Sequence, residues 1–214
     1  SQHFPQVSLS YRIVHSHTAL RSRGGERGAC AVEWDGMDFL ELASRRRSVR
    51  AYRDTPVPMA DIKSCLEAAR LAPSACNSQP WHFVVVTDPD RRHRLGELSR
   101  LPGTSLNRFV AEAPAVIAVV ATRPKITSQI GGFLKGKQYY LLDIGIATEH
   151  LCLEATERGL GTCMVGWFDE KETKKLLRLP RSRHVALLVT LGYPADEART
   201  KNRKRLVEIV SYDS

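Results

Sequence analysis

Short runs of apolar residues predict three strands along this chain. The segment 81–87 contains the run Phe-Val-Val-Val and ends before Asp88 and Pro89, which predicts a short buried strand. The runs 115–121 and 185–191 are apolar almost throughout, as expected of strands that helices cover on both faces. The chain therefore contains the parts of a central sheet.

Apolar residues at helical spacing lie before and between these runs. In the segment 60–70 they recur every three or four positions, which predicts an amphipathic helix that stops near Pro73. A helix-like run also begins directly after Met37. Strands that alternate with helices indicate an α/β or α+β domain built on a central sheet.

One predicted helix is apolar on nearly every face of its first half. It extends from about Gln138 to Arg158, and Gly159 is placed to end it in a left-handed conformation. Residues 139–147 carry almost no polar side chains. A helix without a polar face must be covered everywhere, either deep in the monomer or by a second subunit. We favour the second subunit.

Residues 1–36 differ in composition from the rest of the chain. Arg, His, Ser and Gly are common there, apolar periodicity is poor, and the long apolar core of a signal peptide is missing. This pattern predicts a poorly ordered N-terminal extension, and Met37 is a candidate for the natural start. A length of 214 residues suits one hydrophobic core, so we expect a single domain over 37–214.

Charge and cysteine usage restrict the possible partners without choosing among them. The net charge of +9 suits an anionic partner: nucleic acid, a lipid surface or a phosphorylated cofactor. The five cysteines show neither a C-x-x-C pair nor metal-like spacing, so we expect reduced, buried thiols in a cytosolic protein. No apolar run approaches the roughly 18 residues that cross a bilayer, so we expect no membrane span.

Four arginines within residues 45–50 form the sharpest local feature of the sequence. Their like charges repel, so a bound anion would be stabilising, and a planar guanidinium matches a phosphate with two hydrogen bonds. Taken alone, such a run is more simply a solvated basic face or a nucleic-acid surface. No aromatic residues alternate with the arginines, which disfavours base stacking.

A loop of small and amide-bearing residues leads directly into the first predicted strand. Residues 72–80 read Ala-Pro-Ser-Ala-Cys-Asn-Ser-Gln-Pro. Small side chains let backbone N–H groups approach a flat polar ring, and an Asn or Gln amide matches its donor and acceptor edge. The alternative is an ordinary turn between a helix and a strand.

Four motifs in this order resemble the nitroreductase family, over about residues 37–212. They are Ser-x-Arg-Arg-Ser-x-Arg at 44–50, Pro-Ser-Ala-x-Asn-x-Gln-Pro-Trp-His-Phe at 73–83, Gly-Leu-Gly-Thr-Cys at 159–163, and Leu-Gly-Tyr-Pro at 191–194 followed by the basic pair Lys201 and Arg203.

The resemblance implies an α+β fold with a central mixed sheet flanked by helices. It also implies an intertwined homodimer with FMN bound at the subunit interface, where both chains contribute to each site. The residues implied to bind FMN are Arg46, Arg47, Ser48 and Arg50 with Lys201 and Arg203 at the ribityl phosphate, Pro73, Ser74, Ala75 and Asn77 from the partner chain, and Val165 and Gly166 beside the ring.

The same resemblance implies an oxidoreductase in which the flavin, rather than a side chain, is the reactive centre. NADH or NADPH passes a hydride to FMN, and a nitroaromatic, quinone or similar conjugated acceptor then takes its place, which is a ping-pong cycle. The sequence accordingly lacks the G-x-S-x-G, H-E-x-x-H and G-x-G-x-x-G motifs of other enzyme classes. In the glycine-containing segment 127–136, we expect Phe133 to cover the substrate face.

Two alternatives stay open from the sequence. One is an FMN enzyme of the same fold with another reaction, such as reductive dehalogenation or dehydrogenation, because a fold does not determine its chemistry. The other is a flavin-binding redox sensor without turnover. In each case we expect a cytoplasmic protein without a bound metal and without a nucleic-acid or membrane partner.

Overall fold

The computed structural model describes residues 38–101, 103–122, 138–198 and 200–213. All of these residues belong to one compact unit, 36–214. The extension predicted for residues 1–36, the candidate start Met37 and the predicted pocket residue Phe133 lie outside the described residues.

Four strands form one sheet at the centre of the described chain. They are β1 (Trp81–Val86), β2 (Ala115–Ala121), β3 (Gly161–Val165) and β4 (His184–Gly192), in the spatial order β1-β2-β4-β3. All three strand pairs are antiparallel. The parallel component of the predicted mixed sheet is confined to an isolated bridge between Ser48 and Thr162.

The strands differ in burial according to their position in the sheet. Every residue of β2 is buried, and β4 is buried over its second half, as predicted for strands covered on both faces. In β1 only Val86 is buried, and His82 is exposed. The prediction of a buried first strand was therefore wrong for most of its length, because β1 lies at the edge of the sheet, where fewer neighbours cover its side chains.

Five helices lie within the described parts of the chain; those at 39–45, 59–70 and 139–157 were predicted, and those at 89–99 and 170–176 were not. Asp88 and Asp169 cap two of them, each accepting a hydrogen bond from a backbone N–H in the first turn. The helices are α1 (Phe39–Arg45), α2 (Met59–Arg70), α3 (Pro89–Ser99), α4 (Tyr139–Glu157) and α5 (Glu170–Leu176). Together with the sheet they confirm the α+β class.

Helix α4 is the longest helix, and it packs against α2 and the sheet. Ile144, Ala147 and Leu151 lie on its buried face, within the core cluster. Leu142 on another face is 61% exposed, and Ile146 is 41% exposed. One copy of the chain thus leaves part of an apolar helix uncovered. Gly159 has φ +71°, which confirms the predicted left-handed end of this helix.

Close backbone approach at β3 positions the segment that follows α1. Val49 donates its N–H to the carbonyl of Thr162 at 2.9 Å. A Cβ added at Gly161 would collide with the side chain of Val49. Gly161 therefore lets the extended residues after α1 lie directly against the start of β3.

None of the described helices combines the length and the hydropathy needed to cross a bilayer.

Candidate functional site

The arginine-rich segment divides into side chains with different partners. Arg45 pairs with Glu41 one turn earlier on α1. Arg46 reaches across to α4, where its Nε lies 2.9 Å from a carboxylate oxygen of Glu149. Arg47 donates from Nη2 to both the carbonyl and the carboxylate of Asp196, at 2.7 and 2.8 Å. Arg47 therefore already has an anionic partner within its own chain.

Arg46, Lys201 and Arg203 come together where the C-terminal segment crosses the end of α1; we call this group the basic corner. Lys201 Nζ donates to the carbonyl of Ala43 at 2.7 Å, and it lies 158 positions from Ala43 in sequence. The pKa of Lys201 is lowered, first by desolvation and then by the positive charges of Arg46 and Arg203. The corner is thus a crowded cationic site in which Glu149 provides opposing charge.

Ser48 joins the segment to β3 instead of to the basic corner. It forms the isolated bridge with Thr162, and its side chain hydrogen-bonds to Cys163. Burial raises the pKa of the Cys163 thiol, and the charge of Arg50 and the bond from Ser48 offset only part of this rise. Tyr52 also fixes this segment, because its hydroxyl donates a hydrogen bond to the carbonyl of Val49 at 2.8 Å. Burial raises the pKa of the Tyr52 phenol, which keeps this hydroxyl available as a donor.

Arg50 faces an open cleft of about 720 Å³ and not the basic corner. The cleft, which we call the Arg50 cleft, is also lined by Asn107, Arg108 and Phe109. Neither Arg50 nor Arg108 has a carboxylate partner within the described parts of the chain, although Glu112 also reaches the cleft wall. Two unpaired guanidiniums at an apolar wall suit a polar or anionic group.

The end of β3 presents a backbone group without a partner. Val165 is 3% exposed and belongs to the core, whereas Gly166 is exposed. The N–H of Gly166 has no hydrogen-bond acceptor among the residues that the structure describes. Trp167 follows and is 57% exposed. A free backbone donor beside an exposed aromatic ring is suited to contact a planar ligand.

The loop from Pro73 to Pro80 has an unusual backbone. Cys76, Asn77 and Gln79 adopt φ values of +53°, +49° and +46°, which non-glycine residues rarely do. Each such residue costs of order 1 kcal/mol, and clusters of strain of this kind occur at binding sites. The loop holds its shape by a hydrogen bond from the Gln79 N–H to Ser74 Oγ at 2.9 Å.

Helix α4 connects this loop to the basic corner within one chain. Ala75 donates its N–H to Asp143 Oδ1 at 3.1 Å, and Asp143 is buried. Asp143 and Glu149 are separated by about 9 Å along the helix axis, at the usual rise per residue. Pro73 and Asn77 remain exposed in the single copy, free to face another molecule.

The cysteines correct one expectation. Burial raises the pKa of Cys65 to about 12 and that of Cys152 to about 11, and Cys163 is also raised, so these three are unreactive thiols as predicted. Cys76 is exposed, because it sits at the tip of the strained loop, so the prediction of buried thiols was wrong there. Cys30 lies outside the described residues.

Two acidic residues of this site were not predicted from the sequence. Asp143 binds the loop and Glu149 pairs with Arg46. Asp143 lies in the otherwise apolar first half of α4, and this isolation was an available signal, because a charge among apolar residues needs a partner. Glu149 follows in a more polar stretch, between Thr148 and His150, and carried no such signal. Asn107 and Arg108 were also missed, since nothing in their local sequence marks them.

Comparison with known proteins places these features in a family context. The protein-family model described as the nitroreductase family matches residues 43–102 and 102–193 of this chain. An NADH dehydrogenase of Thermus thermophilus is 31% identical over 203 residues, which are 81% of this chain and 95% of that protein. Iodotyrosine deiodinase 1 of Rattus norvegicus is 29% identical over 220 residues, which are 90% of this chain and 72% of that protein.

A solved structure supports the same fold. The FMN-dependent nitroreductase of Clostridium difficile R20291 superposes with a TM-score of 0.68 at 24% sequence identity, over 82% of this chain and 99% of that one. The fold expected from the four sequence motifs is thereby confirmed.

Proposed function

Because the chain belongs to the nitroreductase family, we propose that it is an FMN-dependent oxidoreductase, passing hydride from NADH or NADPH to a nitroaromatic, quinone or similar conjugated acceptor. Donor and acceptor would use the site in turn. The observation that carries the proposal is the basic corner, where Lys201 bonds to the end of α1 beside Arg46 and Arg203, and where desolvation and then these two charges lower its pKa.

A phosphate monoester is the ligand that best fits the basic corner. It carries about −1.5 to −2 charges at neutral pH and three acceptor oxygens, so it would relieve the repulsion among Arg46, Lys201 and Arg203. Ser48 lies two positions from Arg46 on the same extended segment, and its hydroxyl would exchange its bond to Cys163 for one to the phosphate. We assign these residues, rather than the Asp196-bound Arg47, to the ribityl phosphate.

The ring of the cofactor would lie between the basic corner and the Arg50 cleft. Val165 forms part of the core below, while the free N–H of Gly166 is available to donate a hydrogen bond to the ring. Arg50 is assigned to the polar edge of the ring and not to the phosphate, because it faces the cleft. Phe133 remains the proposed residue over the substrate face.

Two copies of the chain are needed in this proposal. The exposed apolar side chains Leu142 and Ile146 on α4 support an interface between copies. Pro73, Ser74, Ala75 and Asn77 of a second copy would then complete each site, which explains why a strained loop is held in place with its outer residues exposed. An intertwined homodimer meets both conditions.

Bound FMN would supply the redox chemistry by taking up and releasing a hydride, so the protein groups have only to bind and orient. Arg46, Lys201 and Arg203 neutralise the phosphate. The N–H of Gly166 aligns the ring from one edge, and the guanidiniums of the Arg50 cleft hold its polar end. None of these groups has to gain or lose a proton permanently.

A second candidate function is reductive dehalogenation on the same scaffold. It is favoured by the rat iodotyrosine deiodinase, whose alignment extends over 90% of this chain. Parallel assays with a nitroaromatic, a quinone and a halogenated phenol would separate the two. Turnover of the halogenated phenol alone would replace the leading proposal by this one.

The experiment that tests the proposal is an absorbance spectrum of the purified protein, followed by anaerobic titration with NADH and, separately, NADPH. We expect flavin bands near one FMN per chain, bleaching on addition of one donor, and recovery when the acceptor is added. A flavin that binds but is not reduced would indicate a redox sensor. A colourless protein that takes up no added FMN would refute the proposal.

A further inference from the structure

Asn107 connects the turn after β3 to the end of α3. Its Nδ2 donates to the carbonyl of Ser99 at 3.1 Å and to the carbonyl of Trp167 at 3.3 Å. Ser99 is the last residue of α3, and Trp167 follows Gly166. An Asn amide nitrogen has two protons, so these two carbonyls use its full donor capacity.

The backbone at Asn107 suits this role. Its φ of +61° and ψ of +15° are left-handed, a conformation that Asn tolerates better than most residues. Its own carbonyl accepts a hydrogen bond from Val110 at 3.1 Å, at the start of the short 3₁₀ turn Arg108–Val110. The backbone of Asn107 is therefore fixed by its own 3₁₀ turn, while its side-chain amide bonds to α3 and to the turn after β3.

Other contacts restrain the far end of the turn, where Phe168 packs against the hydrophobic core. Asp169 donates its N–H to the carbonyl of Leu98 at 2.8 Å, which ties the far end of the turn to α3. Between this tie and the end of β3, Gly166 is exposed and has no side chain to pack, and Trp167 is 57% exposed. The Gly166 N–H belongs to the peptide group that follows Val165. Asn107 binds the carbonyl of Trp167, two peptide groups further along, so it fixes the turn that this N–H begins.

We propose that Asn107 is a positioning residue that sets the direction of the Gly166 N–H toward the ring of the cofactor. Asn107 also lines the Arg50 cleft, so it lies at the same site. The inference rests on the proposed function for the identity of the ring. The statement that Asn107 holds the turn after β3 does not depend on any ligand.

The test compares Asn107→Gly and Asn107→Asp with the wild type and with Ser105→Gly. Glycine accepts the left-handed backbone but lacks the amide, and aspartate keeps the shape but cannot donate to the two carbonyls. Ser105→Gly adds the same flexibility to the same segment and leaves the Asn107 amide in place. It is the control for hydrogen exchange only, because Ser105 also lines the Arg50 cleft.

Two measurements are made on each protein. The first is amide hydrogen exchange of Asp169 without cofactor, because its N–H is bonded to the carbonyl of Leu98 at the end of the turn. We expect this exchange to quicken about tenfold in both Asn107 variants and to stay unchanged in Ser105→Gly. The second is made after loading with FMN. There we expect shifted flavin absorbance and about tenfold slower reduction by the nicotinamide donor, with less than about threefold change in FMN affinity.

The outcomes are separable. Unchanged exchange in both Asn107 variants would overturn the inference, as would faster exchange with unaltered flavin bands and reduction rate. An equal loss of FMN affinity and reduction rate would also overturn it, because Asn107 would then support the whole site and not the turn. A wild type that binds no FMN refutes the proposed function, while the exchange data still decide whether Asn107 holds the turn.

Discussion

The basic corner and the Arg50 cleft begin from the same short segment but differ in their electrostatics. At the corner, Lys201 is partly desolvated beside Arg46 and Arg203, and desolvation, followed by repulsion from these two charges, lowers its pKa. At the cleft, Arg50 is exposed, and water screens its charge. Arg46, which is crowded by other cations, and Arg50, which is solvated, are only four positions apart in the extended chain.

This difference predicts how strongly each region should bind an anion. Crowded, partly desolvated cations gain a great deal when a phosphate replaces lost water and opposes their charges. An exposed guanidinium gains little, since solvent already stabilises it. Affinity for FMN should therefore depend on the corner, and the cleft should affect the orientation and reactivity of the ring more than its retention.

The largest expected effect comes from removing two cations of the corner. Arg46→Ala with Lys201→Ala should weaken FMN binding by more than about 100-fold, since each charge-assisted hydrogen bond contributes about 1.5–3 kcal/mol. Titration of the cofactor-free protein by flavin fluorescence measures the change. Arg45→Ala is the matched control, because Arg45 is exposed and pairs with Glu41. Near-normal affinity in the double variant would contradict the phosphate assignment.

The pH dependence of FMN binding should report the protonation state of Lys201. The pKa of Lys201 is lowered in the folded chain, so its protonated form destabilises the cofactor-free protein. The free energy of unfolding therefore rises as pH increases through that pKa. FMN needs the protonated form. Affinity should therefore fall by up to about tenfold on the alkaline side, within the energy of one charge-assisted bond.

Lys201→Arg is the matched variant for this pH series, because a guanidinium stays protonated throughout the range. It should remove the alkaline loss and leave any titration of the flavin itself visible. Identical profiles for the variant and the wild type would show that Lys201 is not the titrating group.

A smaller effect is expected at the cleft. Arg50→Ala should weaken FMN binding by about threefold only, as for an exposed charge, while slowing reduction by the nicotinamide donor more than that. Equilibrium titration and stopped-flow reduction on the same preparation measure the two quantities. If Arg50→Ala lost FMN as severely as the corner variant, the distinction between the two regions would fail.

The smallest effect is expected to strengthen binding. Glu149 holds Arg46 and places a negative charge near the proposed phosphate. Glu149→Gln should tighten FMN binding by about twofold, because the gain from removing a negative charge near the phosphate is largely offset by the loss of a partly solvated pair with Arg46. Glu154→Gln, which alters a similar pair with Arg158 on the same helix, should leave affinity unchanged. Weaker binding in Glu149→Gln would mean that Glu149 orients Arg46 for the phosphate.

Much of the fold followed from periodicity, and the failures have a common cause. The central strands and the long helix with its glycine end were predicted because their own residues encode them. The exposure of β1 was missed, since strand order decides which strand lies at an edge. Cys76 was missed for a similar reason: its exposure follows from a backbone shape held by contacts with α4.

The family resemblance predicted which residues form the candidate site, but it did not predict how they are arranged in space. The sequence shows that Arg46, Arg47 and Arg50 are close along the chain, and it cannot show that they point to α4, Asp196 and the Arg50 cleft, respectively. Asp143 and Asn107 were absent from the set because their roles lie in carboxylate and amide contacts with distant backbone groups.

By itself, the sequence determined α1, α2 and α4, the apolar strands, the crowding of positive charge after α1 and the family motifs, because these depend on residues a few positions apart. Only the tertiary structure decided which charges meet. It brings Lys201 to the end of α1 across 158 positions and turns Arg50 away into its own cleft. The physical reason is that electrostatic interaction depends on distance through space and on access to water, and packing alone sets both.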